Sequence, residues 1–144
     1  MIAPTSLDKT FGQIDIYLFD QLLRGRLRPG MRVLDAGCGG GRNLVYLLRE
    51  GFDVHAVDED PHAVTGVREI AAALAPSLPP EQIRLDTVER MSLPDAWFDG
   101  VISNAARMRG VTRKRTGSSP IVVSASTSWL TRIVPISAAN AAPE

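Results

Sequence analysis

Cysteine is nearly absent from this 144-residue chain: Cys38 is the only one. That excludes an internal disulfide and a cysteine-rich zinc site, and it points to a cytoplasmic setting. There is no excess of either charge, because 16 Lys and Arg stand against 16 Asp and Glu. No global field therefore favours nucleic acid or an anionic membrane. No apolar run approaches the roughly 18 residues that a membrane-spanning helix needs. Met1 to Thr10 lacks the basic start and apolar block of a signal peptide. Histidine is scarce as well, and neither His55 nor His62 stands in a triad or at metal-ligand spacing. No metal is expected. What is present is 44% hydrophobic and 22% charged, the composition of a single globular domain long enough to build a core.

The stretch from Val33 to Asn43 organises the rest. An apolar run, Arg32 to Ala36, contains Asp35 near its end and passes into a loop with glycine at 37, 39, 40 and 41. A helical pattern follows, with Leu44, Val45, Leu47 and Leu48 on one face, and Gly51 stands where a left-handed cap is expected. Upstream, Ile14, Tyr17, Leu18, Leu22 and Leu23 predict an amphipathic helix over 13–24, packed on the domain edge or lying as a lid over the loop. Residues 1–10 carry no clear pattern. Downstream, 53–58 reads as a second buried strand ending in Asp58. Asp60 and Pro61 are the cap and first residue of a helix running to about Leu74. Strands are predicted at 82–86 and 97–104. The order is β-α-β-α-β-loop-β, which implies a Rossmann-like α/β fold, a mostly parallel sheet with helices on both faces. Ligands of such sheets bind beyond the carboxyl ends of the strands, where the glycine loop, Asp58 and Asn104 all fall.

The loop narrows the ligand. A triphosphate loop ends Gly-Lys-Ser/Thr, and this one ends Gly41-Arg42-Asn43. A dinucleotide fingerprint needs Gly-x-Gly-x-x-Gly, and counting from Gly37 or Gly39 puts Arg42 or Leu44 at the last glycine. An NAD-linked oxidoreductase therefore ranks below the alternatives. Asp35-Ala36-Gly37-Cys38-Gly39-Gly40-Gly41, with Asp58 ending the second strand and Leu93-Pro94-Asp95-Ala96-Trp97-Phe98-Asp99 before the fourth, resembles class I S-adenosylmethionine-dependent methyltransferases over about residues 11–106. The small-molecule, tellurite-resistance-like branch is the nearest in pattern.

That resemblance implies S-adenosyl-L-methionine as cofactor and methyl transfer from its sulfonium to a small-molecule acceptor by in-line displacement. It implies that Gly37, Cys38, Gly39 and Gly41 pack against the amino-acid end and ribose, that Asp35 holds the ammonium end, and that Asp58 takes the ribose hydroxyls. Glu59 and Glu89 would lie near the adenine, although Thr87-Val88-Glu89 stands where relatives often carry Asp-Ala. Asn104 would lie near the methionine end. Asp35 and Asp58 also have simpler roles open to them, as a helix cap and a turn acid. Cys38 reads as a small loop residue rather than a nucleophile. No general base stands out.

The pattern breaks after Ala106. Residues 1–106 hold 15 acids and 10 bases, net −5, whereas 107–144 hold one acid and six bases, net +5. The chain thus divides into a cofactor-binding core, 1–106, and a basic, Ser- and Ala-rich tail, 107–144. In the tail, 121–124 and part of 129–136 are candidate short strands, and the end is expected to be disordered. The abrupt charge change is what a shift of reading frame near residue 106 would produce. In that case the sheet would stop at its fourth strand, leaving an exposed edge, and the chain would be a non-catalytic cofactor-binding protein or a subunit completed by a partner.

Overall fold

The computed structural model describes residues 6–87, 97–103 and, for the backbone, 121–124. Two short helices come first, α1 (Ser6–Phe11) and α2 (Ile16–Leu23). They are followed by β1 (Arg32–Ala36), α3 (Val45–Arg49), β2 (Asp53–Asp58), α4 (Pro61–Leu74), β3 (Ile83–Leu85), β4 (Gly100–Ser103) and β5 (Ile121–Ser124). All strand pairs are parallel, and the sheet order is β3-β2-β1-β4-β5. The order reverses between β1 and β4, which makes the carboxyl ends of these two strands the place where a crevice opens.

Strand residues alternate between faces, and the register assigns them. Val33 pairs with Val54 and Asp35 with Ala56, while Ile102 lies opposite Asp35 on the other side. This first face forms one core with α2, α3 and α4 through Leu18, Leu44, Leu47, Val64 and Val67. The second face carries Leu34, Ala36, His55, Val57, Val101 and Ser103, all buried. Asp35 thus points into the helix-covered side of the sheet, beneath the glycine loop.

Three sequence expectations are revised. Residues 6–11 form a helix where no pattern was seen, because α1 buries none of its side chains and so shows no apolar periodicity. The helix expected from 13 begins at Ile16, because Asp15 is its cap and accepts from the Tyr17 and Leu18 N–H groups. Finally, β5 pairs with β4 in register from Gly100↔Ile121 to Ser103↔Ser124, so β4 is not the edge of the sheet. The strand at 121–124 was among the candidates. The stretches 88–96, 104–120 and 125–144, which include the candidate strand within 129–136, lie outside the described residues. Among the described residues no helix is long and apolar enough to cross a membrane.

Candidate functional site

The glycine loop turns back on the end of β2, and its own backbone amides do the fastening. The N–H groups of Gly37 and Cys38 both donate to the Val57 carbonyl, at 2.9 and 3.0 Å. The Gly39 N–H donates to Asp58 Oδ2 at 2.8 Å, and the Gly41 N–H donates to the Cys38 carbonyl at 3.0 Å. A phosphate cradle needs such amides free and pointing at the ligand. Here the amides of these four residues are spent on the protein. The helix after the loop adds little, because α3 has five residues and no side-chain cap.

The glycines do different jobs. Gly37, Gly39 and Gly41 have φ of 77°, 53° and 79°, a region that L side chains rarely adopt. A Cβ on Gly41 would stand 3.0 Å from Val67 Cγ2, so this glycine lets the loop lie against α4. A Cβ on Gly39 or Gly40 would meet no atom within 4 Å. That side of the loop is bare backbone facing open space, where a ligand can approach.

Carboxylates surround the loop. Asp35 is buried to 2% exposure, and no hydrogen bond from a described residue reaches it. Burial pushes its carboxyl up to about 7, with Arg42 pulling against that rise and Asp58 adding to it. Asp35 does not cap α3, whose cap position is Leu44. Asp58 accepts from Gly39 through Oδ2 and from the Asp60 N–H, at 2.9 Å, through Oδ1. It is therefore both the turn acid and the anchor of the loop. A carboxylate has about four acceptor sites, so two are left open by the described residues. Burial first, then Asp35 and Asp58, push the Cys38 thiol up to about 12. Cys38 stays protonated and is not a nucleophile.

Seven of the sequence-predicted site residues, Asp35, Gly37, Cys38, Gly39, Gly41, Asp58 and the exposed Glu59, come together at the carboxyl ends of β1 and β2. Glu89 and Asn104 lie outside the described residues. Sequence reasoning passed over three further residues. Asp86 follows β3 directly, its N–H donates to the Asp58 carbonyl at 3.0 Å, and its Oδ1 accepts from the Thr87 N–H at 2.8 Å. Its signal was available, because an acid closing an apolar strand is the same pattern that marks Asp58. Asn43 and Asp15 are joined by a 2.8 Å bond across 28 residues of chain, and nothing in local sequence announces such a pair.

The family described as a methyltransferase domain matches residues 33–117, more than half the chain and past Ala106. Among curated proteins, the chain is 33% identical over 104 residues to an S-adenosyl-L-methionine-dependent Diels-Alderase from Talaromyces variabilis, covering 70% of this chain and 34% of that protein. It is 36% identical over 86 residues to a ubiquinone biosynthesis O-methyltransferase from Methylocella silvestris, covering 57% of this chain and 32% of that protein. The chain thus spans about a third of the length of these relatives. Among solved structures, magnesium protoporphyrin IX methyltransferase from Synechocystis, determined with bound S-adenosylmethionine, aligns with a TM-score of 0.53 at 20% identity, over 72% of this chain and 50% of that one. At that identity the likeness is one of fold.

Proposed function

This chain belongs to the methyltransferase domain family, and from that premise we propose that its glycine-loop site holds S-adenosyl-L-methionine and serves methyl transfer to a small-molecule acceptor in the cytoplasm. The observation that carries the cofactor reading is the charge and amide count of the loop. The amides of Gly37, Cys38, Gly39 and Gly41 are used internally, while Asp35 and Asp58 face the loop and Arg42 acts on Asp35 as a counter-charge. Such a site disfavours a phosphate or pyrophosphate and suits a ligand with cationic and hydroxyl groups.

The residues fit that ligand. Asp35, buried and with no donor among the described residues, gains a partner from an ammonium group. Asp58 has acceptor capacity left for two ribose hydroxyls. The bare backbone at Gly39 and Gly40 leaves room for close approach. Asp86, tied to Asp58 through the backbone, joins Glu59 on the adenine side; the family resemblance assigns Glu89 to that side and Asn104 to the methionine end. When bound, the cofactor supplies an electrophilic methyl on a sulfonium, and displacement leaves a neutral thioether. The chain contributes by holding donor and acceptor in line, an effect worth up to about 7–11 kcal/mol.

Calorimetry with S-adenosylhomocysteine, NAD and ATP tests this reading. Only the first is expected to bind, and Asp58→Ala should weaken it more than tenfold, as loss of charge-assisted bonds requires. Binding of NAD in preference, or unchanged affinity in Asp58→Ala, would sink the assignment. A second reading has support in the Diels-Alderase likeness, which covers more of this chain than the methyltransferase relative does. In it the cofactor is bound and not consumed, as also holds for a non-catalytic subunit. Production of S-adenosylhomocysteine with a panel of acceptors separates the two readings.

A further inference from the structure

We infer that Asn43 is a positioning residue that clamps the segment before α2 onto the exit of the glycine loop, making residues 13–19 a wall of the cofactor site whose order depends on loop occupancy. This rests on reading the loop as the cofactor's site. The two residues that leave the loop, Arg42 and Asn43, both reach the same distant stretch. Arg42 Nη1 donates to the Gln13 carbonyl at 3.4 Å, and the Asp15 N–H donates to Asn43 Oδ1 at 2.8 Å. Asn43 is 2% exposed, whereas Arg42 is exposed. The Asn43 bond is the shorter and better shielded of the two, part-buried where the Arg42 contact is exposed, so water replaces it less readily.

Asp15 then passes the constraint on. Its carboxylate accepts from the Tyr17 and Leu18 N–H groups, at 2.9 and 3.3 Å, and its carbonyl accepts from the Phe19 N–H at 2.9 Å. The whole first turn of α2 therefore hangs on one residue held by Asn43. Further along, Phe11 packs on Phe19 and Tyr46, with centroids 4.8 and 4.7 Å away. Arg49 Nη1 reaches the Lys9 and Thr10 carbonyls at 3.4 and 3.1 Å. These contacts fasten the segment to α3. Among the described residues, the Asn43 bond and the longer, exposed Arg42 contact tie it to the loop exit, and Arg42 is also the cation that acts on Asp35. A ligand ammonium that engages Asp35 competes with Arg42 for that carboxylate, and any shift of Arg42 is felt at Gln13 and Asp15.

Amide hydrogen exchange and calorimetry on the full chain test the clamp. In the native protein, saturating S-adenosylhomocysteine should slow exchange at amides 15–19 several-fold. Unchanged exchange there at proven saturation overturns the inference. Asn43→Ala should raise the S-adenosylhomocysteine Kd about tenfold and remove that ligand-dependent slowing. Asp15→Ala, which loses the cap carboxylate but keeps the N–H on Asn43, should speed exchange at 17 and 18 with a smaller loss of affinity. A merely structural Asn43 would give the two variants equal losses, or loss of stability with affinity intact, and either result overturns the clamp. If Asn43→Ala does not fold, Asn43→Ser, which keeps a shorter acceptor, carries the same comparison. If the native protein binds no S-adenosylhomocysteine, the cofactor reading fails. The clamp is then judged separately by whether Asn43→Ala speeds exchange at 15–19 in the free protein.

Discussion

Gly40 and Gly41 are neighbours of the same type with opposite constraints. Gly41 has φ of 79°, and a Cβ there would press on Val67 Cγ2 at 3.0 Å and touch Ile70 Cδ1 at 3.5 Å. Alanine is strained and crowded at once, so Gly41→Ala should cost about 1–3 kcal/mol in a urea titration. Gly40 has no positive φ and open space around it. Gly40→Ala should move stability by less than about 1 kcal/mol, yet it places a methyl group where the ligand approaches. Its effect is expected in S-adenosylhomocysteine affinity and not in the melt. Equal destabilisation of the two variants would show that the loop is not packed on α4 as described. The motif spacing made all the glycines look alike, and only the placement of α4 beneath the loop separates them.

At the scale of elements, legibility followed how much each segment states locally. The bounds of β1 and β2 are legible in the sequence because buried parallel strands are largely apolar runs, here with an acid at or next to the end. α4 was legible because its start is written in its first two residues. Asp60 Oδ1 accepts from the His62 N–H at 2.9 Å, and Pro61 occupies the first turn. Asp60→Ala should therefore lower stability by about 1 kcal/mol, measured by thermal or urea melting, because it leaves that N–H without its acceptor. No change would mean that α4 is set by packing of Val64, Val67 and Ala71 alone. Other elements were misread where tertiary contacts decide. The fourth strand begins at Gly100 and not at Trp97, because Trp97 and Phe98 turn aside to pack on His55, at 4.8 and 5.4 Å, with the Arg32 guanidinium 3.8 Å over the indole. Asp86 shows in the sequence as an acid closing a strand, whereas its link to Asp58 is a backbone bond between neighbouring strands that only the fold reveals.

For the whole molecule, the sheet carries one buried titratable group on each face, and the two pull stability in opposite directions. Asp35, on the helix-covered face, is raised from 3.8 to about 7 by burial, with Arg42 opposing and Asp58 reinforcing. Its contribution is fully present below about pH 4 and is lost as pH rises through 7. His55, on the other face, is lowered from 6.5, first by burial, with Asp53 opposing and Arg32 and Arg84 reinforcing. Its contribution is fully present above 6.5 and is lost as pH falls. Burial pushes the Asp53 carboxyl up, but its bonds to Arg32 and Gln82, with the charges of His55 and Arg32, together outweigh that and lower it, so it acts only below about pH 4. Between pH 5 and 6.5 the two slopes thus oppose each other in the native protein, and from 6.5 to about 7 only the carboxyl slope remains. Asp35→Asn should uncover the histidine slope, with stability rising with pH. His55→Leu should uncover the carboxyl slope, a fall on the order of 2 kcal/mol between pH 5 and 8. Urea midpoints at four pH values measure both, and an Asp35→Asn profile that overlays the native one would refute the assignment. The same titration reaches the function. If Asp35 receives an ammonium, saturating S-adenosylhomocysteine should abolish the carboxyl slope in His55→Leu. Saturating adenosine, which occupies the ribose and adenine side without an ammonium, should leave that slope in place.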